Sequence, residues 1–139
     1  MDLNVLHNPF IDMLGAQLVE WYPEHCTWEL EIAARHTNTQ GSLHGGVIAT
    51  LLDVACGYTG FCPENGKLEH RAATLSLSIQ YLAKAREGVL LAKGRLLGGG
   101  RRVFFAEAQL FANDQLIATA SGSFRRHQVS GSEAQLPIA

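Results

Sequence analysis

Residues 41–61 read GSLHGGVIATLLDVACGYTGF, and Asp53 is the one acidic or basic side chain, histidine aside, in a run that otherwise has the pattern of a buried helix. Val47, Ile48, Leu51, Val54, Ala55 and Tyr58 are apolar or aromatic, while Ala49, Cys56, Gly57 and Gly60 are small enough for close packing. A helix that is apolar around most of its circumference belongs inside a fold, so the rest of the chain has to enclose it. Burial disfavours the ionised form of a carboxyl group, and an uncompensated charge there is costly. Asp53 therefore belongs either to a satisfied structural network or to a site.

The residues just ahead favour a site. His44-Gly45-Gly46 precedes the periodic run, and paired glycines let the chain turn sharply into a helix. The first backbone N–H groups of a helix have no intrahelical partner and lie at the positive end of its dipole. They can bind an anion, or an oxygen that becomes anionic during reaction. An oxyanion-stabilising turn, followed seven residues after Gly46 by a carboxylate, suits hydrolysis of an activated carbonyl.

The remaining sequence supplies the enclosure. A short helix is expected over 8–14, with Asn8 as N-cap, Pro9 at the first helical position and Gly15 as terminator. Strands are expected at 16–22 and 26–33; in the second, Cys26, Trp28, Leu30 and Ile32 alternate with polar residues. A polar loop over 34–45 leads into the main helix, placed at 46–61. After a turn at 63–66, Leu75, Leu77, Ile79 and Tyr81 alternate with Thr74, Ser76, Ser78 and Gln80. That alternation puts Thr74 on the side of its strand away from the helix. Further strands are expected at 87–97, 102–112 and 115–124, joined by turns at Gly98-Gly99-Gly100 and Asn113-Asp114.

One face of these strands is small: Ala92 and Gly94, then Ala106 and Ala108, then Ala118, Ala120 and Gly122. Such a face lets a helix lie close to a sheet. The fold class expected is α+β, one long central helix wrapped by a curved antiparallel sheet. The chain reads as a single domain over 1–139, with a short helical segment within 1–15 and a loose tail over 127–139.

Composition narrows the functional classes. At 139 residues the chain can bury a core of its own, and its net charge of −2 gives no reason to expect a nucleic-acid partner. Arg101-Arg102 and Arg125-Arg126 are short pairs, better matched to a small phosphorylated ligand than to a duplex. The three cysteines make neither a CxxC pair nor a zinc spacing with the six histidines, so no metal is expected. An odd cysteine count and the absence of a leader-like N-terminus fit a cytoplasmic protein, and no apolar run reaches the length of a membrane span. A hydrophobic content of 47% hints at buried contacts between subunits.

Taken together, NTQGSLHGGVIATLLDVACG, TLSLSIQYLAKA, GGGRRVFFAEAQLF and LIATASGSF resemble the hotdog-fold acyl-CoA thioesterases, in particular their phenylacetate-degradation (PaaI-like) branch, over about residues 8–125. The resemblance implies hydrolysis of an acyl-CoA thioester to free acid and coenzyme A. The coenzyme is then part of the substrate, and no separate cofactor is needed. It also implies roles residue by residue. Asp53 would be the catalytic carboxylate, as general base or nucleophile. The Gly45 N–H would polarise the thioester carbonyl, with Gly46 beside it and His44 packed against the turn. Asn38 would position substrate or water, and Thr74 would orient the lytic water. Arg101 and Arg102 would meet the phosphates of coenzyme A. Tyr58, Phe61 and Tyr81 are candidates to line an acyl pocket for an aromatic or medium-chain acid. The family pattern implies a homodimer or a dimer of dimers (a homotetramer), with sites shared between subunits.

Two other readings stay open at this point: a non-catalytic acyl-CoA-binding or sensing domain, and a hotdog acyl dehydratase or hydratase. Each residue also has a plainer role. Asn38 could stabilise a turn, His44 could orient the loop, and the arginines could be solvated surface. Cys56 reads as a small core residue rather than a nucleophile, because no basic partner is placed near it in sequence.

Overall fold

The structure, a computed structural model, describes residues 6–129. Helix α1 (Pro9–Leu14) leads into β1 (Gln17–Tyr22) and β2 (His25–Glu31); α2 (Gly45–Gly57) follows, then β3 (His70–Tyr81), β4 (Val89–Gly99), β5 (Val103–Ala112) and β6 (Gln115–Gln128). The six strands form one antiparallel sheet in the order β1-β2-β4-β5-β6-β3. β1 and β3 are its edges. α2 packs against β2, β3, β4, β5 and β6, so the sheet curls around one main helix.

The small face of the strands makes this packing possible. Ala92, Ala106 and Ala118 are fully buried, and Ala108 and Ala120 nearly so. At Gly94 the approach is closest: a Cβ there would lie 1.8 Å from the Ala55 carbonyl oxygen of α2. No side chain fits that gap. Cys26, inward on β2, donates its thiol to the same carbonyl at 3.0 Å.

The Asn113-Asp114 turn behaves as its residues demand, with both φ values positive, as a two-residue hairpin requires. Other boundaries differ from expectation. α2 begins at Gly45 and ends at Gly57, giving way to a 3-10 turn over Tyr58–Gly60, so it is shorter than 46–61. Asn8 caps α1 by position only. Its side chain makes no capping bond and instead donates to the Tyr58 hydroxyl at 3.4 Å. β3 starts at His70, four residues before the alternation is visible. β6 runs to Gln128, so residues 127 and 128 are strand rather than loose tail. Val129 donates its N–H to the Glu69 carbonyl at 3.3 Å, and the rest of the expected tail, 130–139, lies outside the described residues, as do residues 1–5.

The largest departure is a bulge in β3. Its register against β6 shifts between Thr74 and Ser76, with Thr74 opposite Phe124, Ser76 opposite Ser123 and Leu77 opposite Gly122. An extra residue in a strand reverses the facing of everything beyond it. Leu77 and Ile79 pack on the core as expected, but Leu75 turns outward and is 57% exposed. Thr74 moves to the helix side.

Candidate active site

Two groups of side chains form along α2, one at each end of its open flank. At the start, His44 is the N-cap, and its Nδ1 accepts the Gly46 N–H at 2.8 Å. The bond assigns Nδ1 as acceptor and holds the turn, which is the loop-orienting role. The Gly45 N–H has no acceptor among the described residues. It points from the positive end of the helix and is free for a ligand oxygen. Tyr81, from the far end of β3, donates its hydroxyl to the Gly45 carbonyl at 3.1 Å. Its ring stands against the glycine, 3.5 Å from where a Cβ would be. Asn38 spends Oδ1 on its own loop, accepting from Gln40 N–H at 2.9 Å and Ser42 N–H at 3.1 Å. Its exposed Nδ2 remains available to donate.

Farther along α2, Asp53 accepts the Thr74 hydroxyl at 2.6 Å. The expectation that Thr74 faces away from the helix is therefore wrong, because strict alternation overlooks the bulge. The expectation that Asp53 is buried also needs correction. Ala49, Thr50, Asp53 and Val54 are only half-buried and Gly46 is exposed. Spaced three and four apart, these residues form a flank of α2 that its own sheet does not cover. Asp53 and Thr74 border a cavity of about 320 Å³, lined also by Tyr58, Phe61, Arg71 and His127.

The model of the family described as the thioesterase superfamily matches residues 40–119, which include the helix turn, Asp53 and Thr74. The chain belongs to the thioesterase superfamily. It is 30% identical to the medium/long-chain acyl-CoA thioesterase YigI of Escherichia coli, with 88% of each chain covered. A conserved protein of Pseudomonas aeruginosa, PA5202, shares the fold with a TM-score of 0.81, 25% identity and coverage of 91% of this chain and 100% of that one. A variant of the phenylacetic acid degradation protein PaaI of Thermus thermophilus shares it too, at a TM-score of 0.76 and 22% identity, covering 86% and 100%. The architecture is the hotdog fold of these thioesterases, and the protein is a thioester hydrolase.

The thioesterase's other candidate residues fall into place less evenly. Tyr58 and Phe61 line the Asp53 cavity, but Tyr81 is at the helix start, so the three do not share one pocket. Gly98 and Gly99 belong to β4, so the expected glycine turn falls on residues 100–102; Arg101 and Arg102 are exposed within it and border an open recess with His70, Arg125 and His127. They do not touch Asp53. Arg126 has a structural role that the sequence did not reveal. Its guanidinium donates to the Gly60 and Gly100 carbonyls, each at 2.6 Å, and lies 4.5 Å from the Phe104 ring centroid. Partial burial lowers its pKa from the ordinary arginine value.

The helix start also rests on a residue that no motif marks. His36 is fully buried; Nδ1 accepts the Ala33 N–H at 2.8 Å, and Nε2 lies 2.7 Å from the Leu14 carbonyl. Its own carbonyl accepts the His44 N–H at 2.8 Å, so it links the end of α1 to the turn that starts α2. Among the cysteines, burial and the nearby Asp53 charge push the Cys56 thiol up to about 12, and burial raises Cys26 further. Neither is a nucleophile near neutral pH. No three His, Cys, Asp or Glu side chains among the described residues converge so as to hold a metal ion. No helix among them is long and apolar enough to cross a membrane.

Proposed function

We propose that this thioesterase hydrolyses acyl-CoA thioesters to free acid and coenzyme A, at sites completed between two copies of the chain. The observation that carries the reading is the Thr74–Asp53 hydrogen bond of 2.6 Å beside a cavity, in a chain whose free Gly45 N–H lies at the start of the same helix. Asp53 takes a proton from water, and Thr74 fixes the carboxylate while its oxygen can accept from that water. The oxygen of water adds to the thioester carbon. The carbonyl oxygen becomes anionic and is held by the Gly45 N–H, with Asn38 Nδ2 orienting the substrate. When the intermediate collapses, the C–S bond breaks and the proton passes from Asp53 to the departing thiolate. Thioesters are electrophilic enough that a positioned base and an oxyanion donor suffice. Direct attack by Asp53, through an anhydride, uses the same geometry.

Gly45 and Asp53 are eight residues apart, about 12 Å along the axis at 1.5 Å per residue. A carbonyl oxygen bound at Gly45 must have its carbon within about 3–3.5 Å of the attacking atom, and that gap is too wide for one helix to serve both functions. Two further features support a two-fold arrangement. The half-open flank of α2 offers Gly46 and Ala49 for close approach by a second helix. The edge strand β3 leaves one side unpaired over twelve residues, with Leu75 and Tyr81 on it, and Leu82 just beyond it, more than half exposed. A second copy of β3 would cover that edge and bring Gly45 and Asn38 of one subunit to Asp53 and Thr74 of the other.

Arg101 and Arg102 are assigned to the phosphates of coenzyme A, and a thiol-release assay tests the assignment. The double variant Arg101→Ala, Arg102→Ala is expected to raise KM for an acyl-CoA far more than for the same acid on N-acetylcysteamine, which has no phosphates. Equal effects on both substrates would remove the arginines from the site. Absence of thiol release from a broad acyl-CoA panel would overturn the reading as a whole.

A further inference from the structure

The wall of the cavity beside Asp53 is not simply apolar. Tyr58 and Phe61 supply aromatic surface, but Arg71 lines the same space, and its Nε is buried with no acceptor among the described residues. Asp53 takes the Thr74 hydroxyl rather than this guanidinium. The Tyr58 hydroxyl accepts from Asn8 Nδ2 at 3.4 Å and so keeps its own proton to donate. Burial raises the Tyr58 pKa, while the Asn8 bond and the charge of Arg71 oppose the rise, which sets the guanidinium within electrostatic reach of the hydroxyl. A guanidinium and a hydroxyl donor thus line the same space as the Asp53 carboxylate. Tyr58 follows Asp53 by five residues, about 7–8 Å along the helix direction, which is about the length of a medium acyl chain.

We propose that this cavity takes the acyl part of the thioester and that Arg71, with the Tyr58 hydroxyl, binds a carboxylate at its far end. The preferred substrates are then mono-thioesters of coenzyme A with dicarboxylic acids. The proposal rests on the acyl-CoA reading above. A plain alkyl chain leaves the buried Nε unpaired, whereas a carboxylate satisfies it through a charge-assisted bond. A site with an unpaired polar group discriminates strongly against the analogue that cannot pair it.

The test compares thiol release from glutaryl-, adipoyl- and suberoyl-CoA with release from pentanoyl-, hexanoyl- and octanoyl-CoA, matched in chain length. In the best-fitting pair, kcat/KM of the unmodified protein should favour the dicarboxylic substrate by at least about tenfold. Arg71→Gln should bring that ratio to about one, and Tyr58→Phe, which keeps the ring, should lower it. The measurement on the unmodified protein decides the matter even if a variant folds poorly. A monoacid rate equal to or above its partner in every pair overturns the proposal and leaves the acyl-CoA reading intact. So does an Arg71→Gln variant that slows both members of a pair equally, since the arginine then serves the coenzyme arm or the scaffold. Failure of the protein to hydrolyse any acyl-CoA overturns both.

Discussion

At the scale of single residues, Asp53 combines two features: it is the lone acid of an apolar helix, and a hydroxyl holds it at 2.6 Å. Replacing it with asparagine keeps the shape and the hydrogen bond to Thr74 but removes the base. Asp53→Asn should lower kcat by on the order of a hundredfold or more with an unchanged melting temperature. Near-normal turnover would take Asp53 out of the chemistry. The acid and the glycine turn were legible in the sequence because their chemistry conflicts with a buried apolar helix. The position of Thr74 was not, because a β-bulge leaves no mark in an alternating pattern and reverses side-chain facing. Asn38 illustrates the converse. Its turn-forming bonds use Oδ1 alone, which leaves Nδ2 free for the proposed substrate contact.

At the scale of elements, the fold depends on how closely α2 approaches the sheet. The small residues of β4, β5 and β6 predicted that approach, and Gly94 sets its limit against the Ala55 carbonyl. Gly94→Ala forces backbone apart at the centre of the fold, where no flexible side chain can yield. Overpacking of this kind costs about 3 kcal/mol or more, to be read as a lower midpoint in a denaturant titration. A midpoint within error of the parent would mean that helix and sheet are not so closely apposed. The strand boundary was legible at Asn113-Asp114, but not at Gly98-Gly99-Gly100, where the first two glycines belong to β4 and the turn falls on 100–102. The end of β6 was hidden because residues 125–128 lack apolar periodicity. There the strand is held by its pairing with β3 and by Arg126, which ties Gly60 and Gly100 together. Such long-range ties have no local signature.

At the scale of the whole molecule, Gly45 and Asp53 lie about 12 Å apart along one helix at 1.5 Å per residue, and we propose that two chains bring them together. Complementation between inactive variants tests this most directly. Asn38→Ala disables the half-site at the helix start, whether through its loop or through its substrate contact, and Asp53→Asn disables the other half. The two inactive proteins are unfolded together, refolded as an equal mixture, and assayed for thiol release once subunit exchange has been verified. About half of the dimers are then mixed, and each mixed dimer holds one intact site of two, so about a quarter of the parent activity should return. A mixture as inactive as its two components would contradict the shared site.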